Sequence, residues 1–520
     1  MERIKSVGGI IARSARLFGK RTAYIHDGAT LTFIQLARDA DRLWHQLRSL
    51  GIEKGEPVVV VLDKSLNFIR ALAGVLQAGA IYVPVDARNP DDRIQYILRD
   101  SAAKYVIATS ARIERLSALA DPEVRFISID RSEEAPQAGT ARSQRQHSVV
   151  GSDVAYIIYT SGTTQMPKGV AIRHDSLLNY IRETVKMYGF SERTRILGVK
   201  SFSYDASLTD VFCPLYAGGR VYLIDETLIF PQIIEEQIRR NGITHLSCTL
   251  PVFKLLAQKG TFRPGVYTTM KTMSVGGDVV PPEVFHKIKS SIPRVRLFNR
   301  YGPTETTVAC CTYEVTRQTD QNNPIPIGKP HKNVCFRAIN EQGKEIGVNE
   351  TGELFIGGVQ VMECYWRAPE LTAAVISKFD DGKRYYKTSD LVTLDANGDY
   401  VFLRRLDNIV KKHGYRISLE EVEAAIIRGG IADECVCVFI PEDIKRDFSR
   451  PKIVAYLRTD GPGKPDQETR EKLHLLLPNF MVPDILIPID RIPKELSGKP
   501  ARQALKRKFL DGIQTFGHAH

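Results

Sequence analysis

The sequence predicts an α/β protein in which a large N-terminal domain precedes a small α+β domain. The chain has 520 residues, more than one hydrophobic core usually organises, so two or three domains are expected. In the first half, helical patterns alternate with short apolar runs, as in parallel sheets covered on both faces. The basic stretch at 403–416 marks a candidate hinge, and the segment beyond it has the length of a minimal domain.

Local helix and strand signals support this division. Thr32 and Gln35 have the spacing of a capping box, and Gly51 is the expected end of the helix that follows. The apolar residues on one side of this helix are Leu36, Ala40, Leu43 and Leu47. Buried strands are predicted at 57–62, 104–109 and 154–160. In the last part of the chain, Ser418 and Glu421 predict a helix cap, and the runs ECVCVFI and KIVAYLR predict strands.

Composition and charge narrow the class of protein. Hydrophobic residues make up 43% and charged residues 25%, which is typical of a soluble globular chain. No apolar run fits a signal peptide or a membrane span, so a cytoplasmic protein is expected. The eight cysteines form no CxxC pair, which disfavours zinc and favours buried free thiols. The net charge of +12 comes from scattered residues and no nucleic-acid module is recognised, so a nucleotide and an acidic protein partner are favoured over nucleic acid.

The strongest local signal is the stretch YTSGTTQMPKG at 159–169. A predicted strand ends there in a loop of small hydroxyl residues and glycines, which offers backbone N–H groups and hydroxyls to phosphate oxygens. Lys168 adds a positive charge. The stretch lacks the glycine before the lysine that a P-loop requires, so it predicts a different kind of phosphate loop.

A second signal is the stretch NRYGPTETT at 299–307. It places an aromatic ring, a Gly-Pro turn and a carboxylate within five residues. Tyr301 could stack on a base, and Glu305 could ligate Mg²⁺ with hard oxygen atoms. Alone, this stretch would be a moderate signal, because a lone Tyr-Gly-Pro turn is more often only a turn.

Together the two stretches resemble the ANL superfamily of adenylate-forming enzymes, most closely the adenylation domains of nonribosomal peptide synthetases and their stand-alone relatives. Ten motifs carry the resemblance in order along nearly the whole chain. They are LTFIQL at 31–36, LQAGAIYVPVD at 76–86, the phosphate loop, FSYDAS at 202–207, NRYGPTE, GELFIGG at 352–358, YKTSDL at 386–391, LRRLDNIVKKHGYRISLEEVE at 403–423, LPNFMVP at 477–483 and SGKPAR at 497–502.

The resemblance implies the ANL fold. Residues 1–406 would form an adenylation core of packed βαβ subdomains with a distorted barrel, and residues 407–520 a small mobile α+β lid. Asp407 would be the hinge.

The resemblance also implies roles for individual residues. Those expected to hold the ATP phosphates are Thr160, Ser161, Gly162, Thr163, Thr164 and Lys168, with Arg416 as a further phosphate contact. Those expected around the adenine and ribose are Gly276, Gly277, Asp278, Asn299, Tyr301, Gly302, Asp390 and Arg405. The expected catalytic residues are Lys499, Thr304 at the α-phosphate and Glu305, which would bind Mg²⁺.

Chemistry accounts for these residue types. A carboxylate must approach a triphosphate, and their mutual repulsion is large unless cations neutralise it. Mg²⁺ and Lys499 would do so in a site poor in water. A lysine on a mobile lid can also leave before the second half-reaction.

The acyl group is expected to be an amino acid because of Asp205. In the peptide-synthetase branch the matching aspartate pairs with the substrate ammonium group. The expected pocket residues are Asp205, Ala206, Thr209, Ser247 (or Cys248, one residue along), Ser274, Gly276, Arg300, Val308, Ala309 and Lys499. A buried Arg300 would require an anion, which favours a polar or acidic substrate. Alternatively, Arg300 points outward or pairs with a protein carboxylate.

Four positions depart from the family pattern. Gln165 and Ser389 stand where glycine is usual, Arg404 replaces the glycine before Arg405, and Phe402 replaces a tyrosine. They remove no charged catalytic residue but leave open a weakened member of the family.

No carrier-protein motif follows the adenylation motifs, so the acceptor is expected to be the phosphopantetheine thiol of a separate carrier protein. Two other functions remain open. One is an acyl- or aryl-CoA ligase of the same superfamily, against which Asp205 argues. The other is a non-catalytic ATP-binding protein, supported only by the departures at Gln165, Ser389 and Arg404.

Overall fold

The computed structural model describes residues 4–131, 149–160, 166–225, 228–263, 265–316, 318–319, 324–412, 414–441, 450–459, 467–494 and 500–516. The chain divides into two compact units. The first comprises Met1–Ala87, Leu98–Ile158 and Gly169–Leu406. The second comprises Arg88–Ile97, Tyr159–Lys168 and Asp407–His520. The second unit thus takes in two short segments that the predicted boundary assigns to the first domain, and the hinge role of Asp407 stays a prediction.

Strands and helices alternate through most of the chain. The strands are β1 Thr22–His26, β2 Ala29–Thr32, β3 Pro57–Val61, β4 Ile81–Val85, β5 Tyr105–Ala108, β6 Arg125–Ser128, β7 Val154–Thr160, β8 Lys168–Arg173, β9 Arg195–Gly198, β10 Arg220–Leu223, β11 His245–Thr249, β12 Thr272–Gly276, β13 Arg296–Tyr301, β14 Cys311–Val315, β15 Lys329–Pro330, β16 Val334–Ile339, β17 Thr351–Gly358, β18 Cys364–Tyr365, β19 Ile376–Lys378, β20 Arg384–Leu394, β21 Tyr400–Arg405, β22 Ile409–Lys412, β23 Tyr415–Ser418, β24 Glu434–Ile440, β25 Lys452–Arg458 and β26 Ile485–Pro488. The α-helices are α1 Gly8–Phe18, α2 Phe33–Ser49, α3 Leu66–Gln77, α4 Asp91–Ser101, α5 Ser110–Ser117, α6 His174–Tyr188, α7 Leu208–Ala217, α8 Pro231–Asn241, α9 Leu250–Lys259, α10 Pro282–Ser291, α11 Pro369–Val375, α12 Leu419–Arg428, α13 Gln467–Leu476 and α14 Arg502–Phe516.

A seven-stranded sheet has the order β18-β8-β7-β4-β3-β5-β6. Strand β3 pairs in parallel with β4 and β5, and β4 pairs in parallel with β7. Every residue of β3, β4 and β5 is buried, because helices cover both faces of a parallel sheet. The three predicted apolar runs correspond to β3, β5 and β7, and β7 is buried except at its two end residues, so these buried strands are confirmed.

A nine-stranded sheet has the order β15-β14-β13-β12-β11-β9-β10-β1-β2. Strands β9, β11, β12 and β13 run parallel to their neighbours in this group, so their carboxyl ends lie at one edge of the sheet. A third sheet is antiparallel, with β16, β17, β20 and β19 in line and β21 paired to β20. Residues at the carboxyl edge of the nine-stranded sheet are placed for ligand binding.

Helix α2 begins where the sequence predicts. The Thr32 hydroxyl accepts from the Gln35 backbone N–H, and the Gln35 side chain accepts from the Thr32 backbone N–H. The capping box is therefore confirmed. The helix ends at Ser49, two residues before Gly51, which takes the left-handed conformation expected of a terminating glycine. Its buried face contains the predicted apolar residues and also Phe33.

Helix α12 in the second unit also begins at its predicted cap, with the Ser418 hydroxyl accepting from the Glu421 N–H. The helix packs against the antiparallel strands β24 and β25, which correspond to the predicted runs. Arg502, at the start of α14, donates to the Glu423 carboxylate and to the Cys437 carbonyl. This ion pair offsets the burial that raises the pKa of Glu423.

Among the residues described, no helix combines the length and the apolar character needed to cross a bilayer.

Close packing of α2 against α3 yields a stability prediction. A Cβ atom on Gly74 would lie 2.5 Å from Leu43 Cδ2, far inside van der Waals contact. We expect Gly74→Ala to lower the free energy of unfolding by about 1–3 kcal/mol, because a packed core cannot take an extra methyl group without strain. Thermal melting checks this.

The matched control is Gly9→Ala in α1, where the nearest heavy atom to a new Cβ is Ile4 Cγ2 at 3.5 Å. It should leave stability unchanged or raise it by up to about 1 kcal/mol, because alanine favours the helix. A Gly74→Ala protein that melts no lower than Gly9→Ala would contradict the packing of the two helices.

Candidate active site

The carboxyl edge of the nine-stranded sheet brings several predicted pocket residues together. The strand register pairs Ser247 with Ser274 and Gly276 with Arg300. A Cβ on Gly276 would lie 2.7 Å from the Arg300 carbonyl oxygen, so only glycine fits this close approach. Three neighbouring strands therefore present these side chains to one region.

Arg300 is buried, with 8% of its surface exposed. Its guanidinium donates to Ser247 Oγ at 3.0 Å, to Thr209 Oγ1 at 3.2 Å and to the Tyr180 hydroxyl. Within the described chain, no carboxylate lies within 4.0 Å of it, so neither of the alternatives for Arg300 applies. The guanidinium is therefore buried among predicted pocket residues, and its described hydrogen bonds go to neutral hydroxyls.

Ser247 connects Arg300 to a second buried cation, Lys200, which follows β9. Lys200 Nζ donates to Ser247 Oγ at 3.0 Å and lies 3.1 Å from Asp210 Oδ1. Burial lowers the pKa of Lys200 and raises the pKa of Asp210, and the pairing of the two charges opposes both effects. Cys248 packs in an apolar cluster with Leu246, so Ser247 is the one of the two candidate residues that contacts Arg300 and Lys200.

Asp205 lies in a short 3₁₀ turn before α7. Burial raises the pKa of its carboxyl group to about 6, while a hydrogen bond with the Thr304 side chain and the charge of Arg300 act in the opposite direction. The negative charge of Glu305 raises it further. The structure therefore brings Asp205, Thr304, Glu305 and Arg300 into one electrostatic environment.

Glu305 is completely buried. Its Oε1 accepts from the Tyr365 hydroxyl at 2.8 Å, and its backbone carbonyl accepts from the Met362 N–H at 2.8 Å. A buried carboxylate oriented by the Tyr365 hydroxyl offers the hard oxygen atoms that a magnesium ion prefers, which is the role that the sequence predicts for Glu305.

The segment after Glu305 is strained and tightly held. Thr307 and Val308, both β-branched, have φ angles of 61° and 65°, in the left-handed region that such residues avoid. The fully buried Gln360 side chain donates from Nε2 to the carbonyls of Thr306, Thr307 and Ala309 at 3.2, 3.3 and 2.9 Å. Gln360 therefore fixes the pocket wall formed by Val308 and Ala309.

The residues expected around the nucleotide come from two sheets, with Asn299 and Tyr301 on β13 and Asp390 and Arg405 on β20 and β21. Asp390 is 2% exposed, and its carboxylate accepts from Arg405 Nη1 at 2.6 Å and from the Tyr301 hydroxyl. Asn299 Nδ2 donates to the Pro326 carbonyl at 2.8 Å. Asp278 accepts from the Val279 N–H at 2.7 Å.

At two positions of this group, the backbone conformation or a close contact requires glycine. Gly277 has a φ of 91°, and a Cβ on Gly302 would lie 2.6 Å from Ala309 Cα. Ser274 is buried, Ala206 is half-buried, and Thr209 bonds the Tyr180 hydroxyl at 2.6 Å.

The second unit contains the described ends of the phosphate loop. Thr160 ends β7, and Lys168 begins β8 and is buried. Arg93 donates to Glu421 Oε1 at 2.7 Å, and Lys168 lies near enough to stabilise the same carboxylate. Burial remains the largest influence on Glu421 and raises its pKa.

The other predicted residues of this unit fall into two groups. Arg416 lies half-buried in β23, and the Asp407 carboxylate accepts from the Ile409 N–H at 3.2 Å. Those outside the described residues are Ser161, Gly162, Thr163, Thr164, Gln165 and Lys499.

Sequence reasoning missed five residues that shape the site: Tyr180, Lys200, Asp210, Gln360 and Tyr365. Lys200 and Gln360 had a usable signal, because each is a long polar side chain inside a largely apolar stretch (ILGVKSF and GGVQVM). The other three gave no local signal, since their partners are distant in sequence.

Ser389 supplies a testable departure from the family pattern. Its φ angle is 58°, a left-handed conformation that explains why glycine is usual before the aspartate. We expect Ser389→Gly to raise the free energy of unfolding by about 1 kcal/mol, because it removes backbone strain next to Asp390. Differential scanning fluorimetry measures the change.

Ser377→Gly, in strand β19 of the same sheet, is the matched control. Glycine there should lower the melting temperature, because extended backbone gains nothing from its freedom. Equal effects of the two substitutions would contradict the strain assigned to Ser389.

Comparison with known proteins shows the family to which the chain belongs. Residues 11–366 match the family described as AMP-binding enzyme. The chain is 31% identical over 513 residues to surfactin synthase subunit 2 of Bacillus subtilis (strain 168), covering 98% of this chain and 14% of that protein. It is also 31% identical over 519 residues to tyrocidine synthase 1 of Brevibacillus parabrevis, covering 99% and 46%. The chain thus spans less than half the length of these relatives.

Solved structures show the same fold. An artificially fused adenylation-PCP di-domain, NpsA-ThdA from Klebsiella oxytoca, gives a TM-score of 0.81 at 24% identity, covering 94% of each chain. The Vibrio cholerae adenylation domain AlmE, in complex with glycyl-adenosine-5'-phosphate, gives 0.82 at 22% identity, covering 98% of this chain and 99% of that one. The o-succinylbenzoate CoA synthetase of Bacillus subtilis gives 0.83 at 22%, covering 96% and 98%.

These matches confirm the predicted α/β fold class and the resemblance on which it rested. The chain belongs to the AMP-binding enzyme family, as an adenylation domain of the ANL superfamily of adenylate-forming enzymes.

Proposed function

We propose that the protein uses ATP to convert an α-amino acid to an aminoacyl-AMP, releasing pyrophosphate, and then transfers the aminoacyl group to the phosphopantetheine thiol of a separate carrier protein. Membership of the family establishes an adenylate-forming enzyme that uses ATP. The amino acid, the carrier and the magnesium ion are the parts that we propose.

The observation that carries the amino acid is the environment of Asp205. Its carboxyl group has a raised pKa because it is desolvated, and no cationic side chain lies within 4.0 Å of it in the described parts of the chain. A desolvated carboxylate is stabilised by a cation that pairs with it. The α-ammonium group of a substrate is such a cation, whereas the aryl and fatty acids used by CoA ligases have none.

The relatives support both the amino acid substrate and the carrier protein of the proposal. Surfactin synthase subunit 2 and tyrocidine synthase 1 are named as synthases of peptide products, and the AlmE structure contains a glycyl adenylate. The NpsA-ThdA structure joins an adenylation domain to a PCP domain. A basic chain with a net charge of +12 also suits an acidic carrier surface.

Neutralising charge is the main chemical task, because the substrate carboxylate and the triphosphate are both anions. The buried Glu305 carboxylate, oriented by Tyr365, fits a magnesium ligand. When bound, Mg²⁺ supplies positive charge to the triphosphate. Thr304, which bonds Asp205, would also contact the α-phosphate, and Asp390 would accept from the ribose hydroxyls while Arg405 holds it in place.

Lys499 is proposed as the cation that neutralises the reacting carboxylate and phosphate in the first half-reaction. We further propose that residues 407–520 form a lid that turns at Asp407, and that the turn withdraws Lys499 before thiol transfer. Thr160, the hydroxyl residues that follow it and Lys168 would hold the β- and γ-phosphates, with Arg416 as a further phosphate contact.

Pyrophosphate exchange tests the first half-reaction. The wild-type protein should exchange labelled pyrophosphate into ATP only when its amino acid is present. Lys499→Ala should slow this by about 10²–10³-fold, because one positioned cation is lost. Lys472→Ala, on the exposed side of α13, is the matched control and should leave the rate unchanged.

Three outcomes would contradict parts of this proposal. No exchange with any carboxylic acid would favour a non-catalytic ATP-binding protein. Equal exchange in Lys499→Ala would remove the role of that lysine. Thioester formation with CoA but not with a holo carrier protein would favour an acyl-CoA ligase.

Asp205 predicts a pH dependence. Its pKa of about 6 lies above the ordinary value, so the carboxyl group protonates as the pH falls through 6 and can no longer pair with an ammonium group. We expect kcat/KM for the amino acid to fall about tenfold per pH unit below 6. The value of kcat should change less, because a bound ammonium group lowers the carboxyl pKa.

Asp205→Asn isolates this effect. The variant should have a lower kcat/KM at pH 8 and no inflection near pH 6. An inflection that persists in the variant would assign the titration to another group.

A further inference from the structure

We propose that Arg300, Ser247 and Lys200 form an anion subsite that binds the side-chain carboxylate of an acidic α-amino acid. This inference rests on the proposed function, in which Asp205 holds the ammonium group of the same substrate. It assigns the substrate class and adds Lys200, which the sequence did not single out, to the residues that determine specificity.

The first argument is the hydrogen-bond inventory of the cluster. Ser247 Oγ accepts from Arg300 Nη1 and from Lys200 Nζ, both at 3.0 Å. These two bonds use both lone pairs of the hydroxyl oxygen, so its own hydrogen remains to donate. The Ser247 hydroxyl therefore acts as a donor towards whatever occupies the pocket.

The Tyr180 and Thr209 hydroxyls lead to the same conclusion. They bond each other at 2.6 Å, and both also accept from Arg300 Nη2. One of them donates within the pair, which leaves the hydrogen of the other available. Two hydroxyl hydrogens of the cluster thus remain available, and the oxygens of a ligand carboxylate can accept them.

The second argument is charge. Lys200 is paired with Asp210 at 3.1 Å, whereas the described hydrogen-bond partners of Arg300 are neutral and the Asp210 charge acts on it only from a longer distance. A further buried cation, Lys64, donates to the carbonyls of Gly198 and Lys200, so the protein places more positive charge here. Burying a guanidinium beside neutral groups is costly unless an anion compensates it.

The third argument is geometry. A guanidinium presents parallel N–H groups that match the two oxygens of a carboxylate. Arg300 lies near enough to Asp205 for its charge to lower the pKa of that carboxyl group. An acidic α-amino acid carries opposite charges at its two ends, and so it satisfies Asp205 and Arg300 together.

The experiment is pyrophosphate exchange with purified full-length protein over the proteinogenic amino acids. Aspartate or glutamate should give the highest kcat/KM. The corresponding amide, asparagine or glutamine, is almost the same size and should be at least about 10²-fold poorer, because it leaves the buried cation without an anion.

Two variants locate the effect. Arg300→Gln should reduce kcat/KM for the acid by about 10²-fold and remove the preference for acid over amide. Ser247→Ala, a smaller change that is less exposed to misfolding, should raise KM for the acid by about tenfold with little change in kcat. Ser290→Ala, on the surface of α10, is the control, and melting curves confirm that each variant is folded.

The possible outcomes distinguish a failure of this inference from a failure of the proposed function. Exchange with a glycine-sized or large apolar amino acid, and none with the acids, would overturn the anion subsite while the proposed function stands; in that case Arg300 would merely fill the pocket. An unchanged preference for acid over amide in Arg300→Gln would also overturn it. No exchange with any amino acid would instead contradict the proposed function.

Discussion

The balance of charge at the carboxyl edge of the nine-stranded sheet is the constraint on which the site depends. Two carboxylates, Asp205 and Glu305, lie close enough for the charge of one to raise the pKa of the other, and Arg300 partly offsets them. In our account the substrates complete this balance, with an ammonium group at Asp205 and magnesium at Glu305. The charges of the site are therefore better balanced when these ligands are bound than when water fills the site.

Buried polar contacts maintain the strained backbone of the segment after Glu305, beside the carboxyl edge of the nine-stranded sheet. Val308 stays in a left-handed conformation next to Glu305 because Gln360 binds the carbonyls on both sides of it. The Asn179 side chain in turn donates to the Gln360 amide oxygen at 3.0 Å. Such over-determined strain is common where a side chain must be held at one position. Helix α6, which contains Asn179 and Tyr180, thus supports both the pocket wall and the guanidinium of Arg300.

Much of the fold could be predicted from the sequence, because it is recorded in local patterns. The cap at Thr32, the apolar runs of β3 and β5 and the cap at Ser418 depend on neighbours within a few residues. The motifs also identified Asp205, Glu305 and Arg300. Of the partners of Arg300, Ser247 and Thr209 were among the predicted pocket residues, whereas Tyr180, 120 residues away in sequence, could not be predicted. Ser389 was identified as a departure, but its φ angle required the structure.

The central claim, that Asp205 holds a substrate ammonium group, is tested most directly by binding. Titration calorimetry would compare a non-hydrolysable aminoacyl-sulfamoyl adenosine with the same compound lacking its α-amino group. Our account predicts that wild-type protein binds the amine-bearing compound at least about tenfold more tightly, and that Asp205→Asn binds both equally. Equal Kd values for both compounds in the wild-type protein would contradict it.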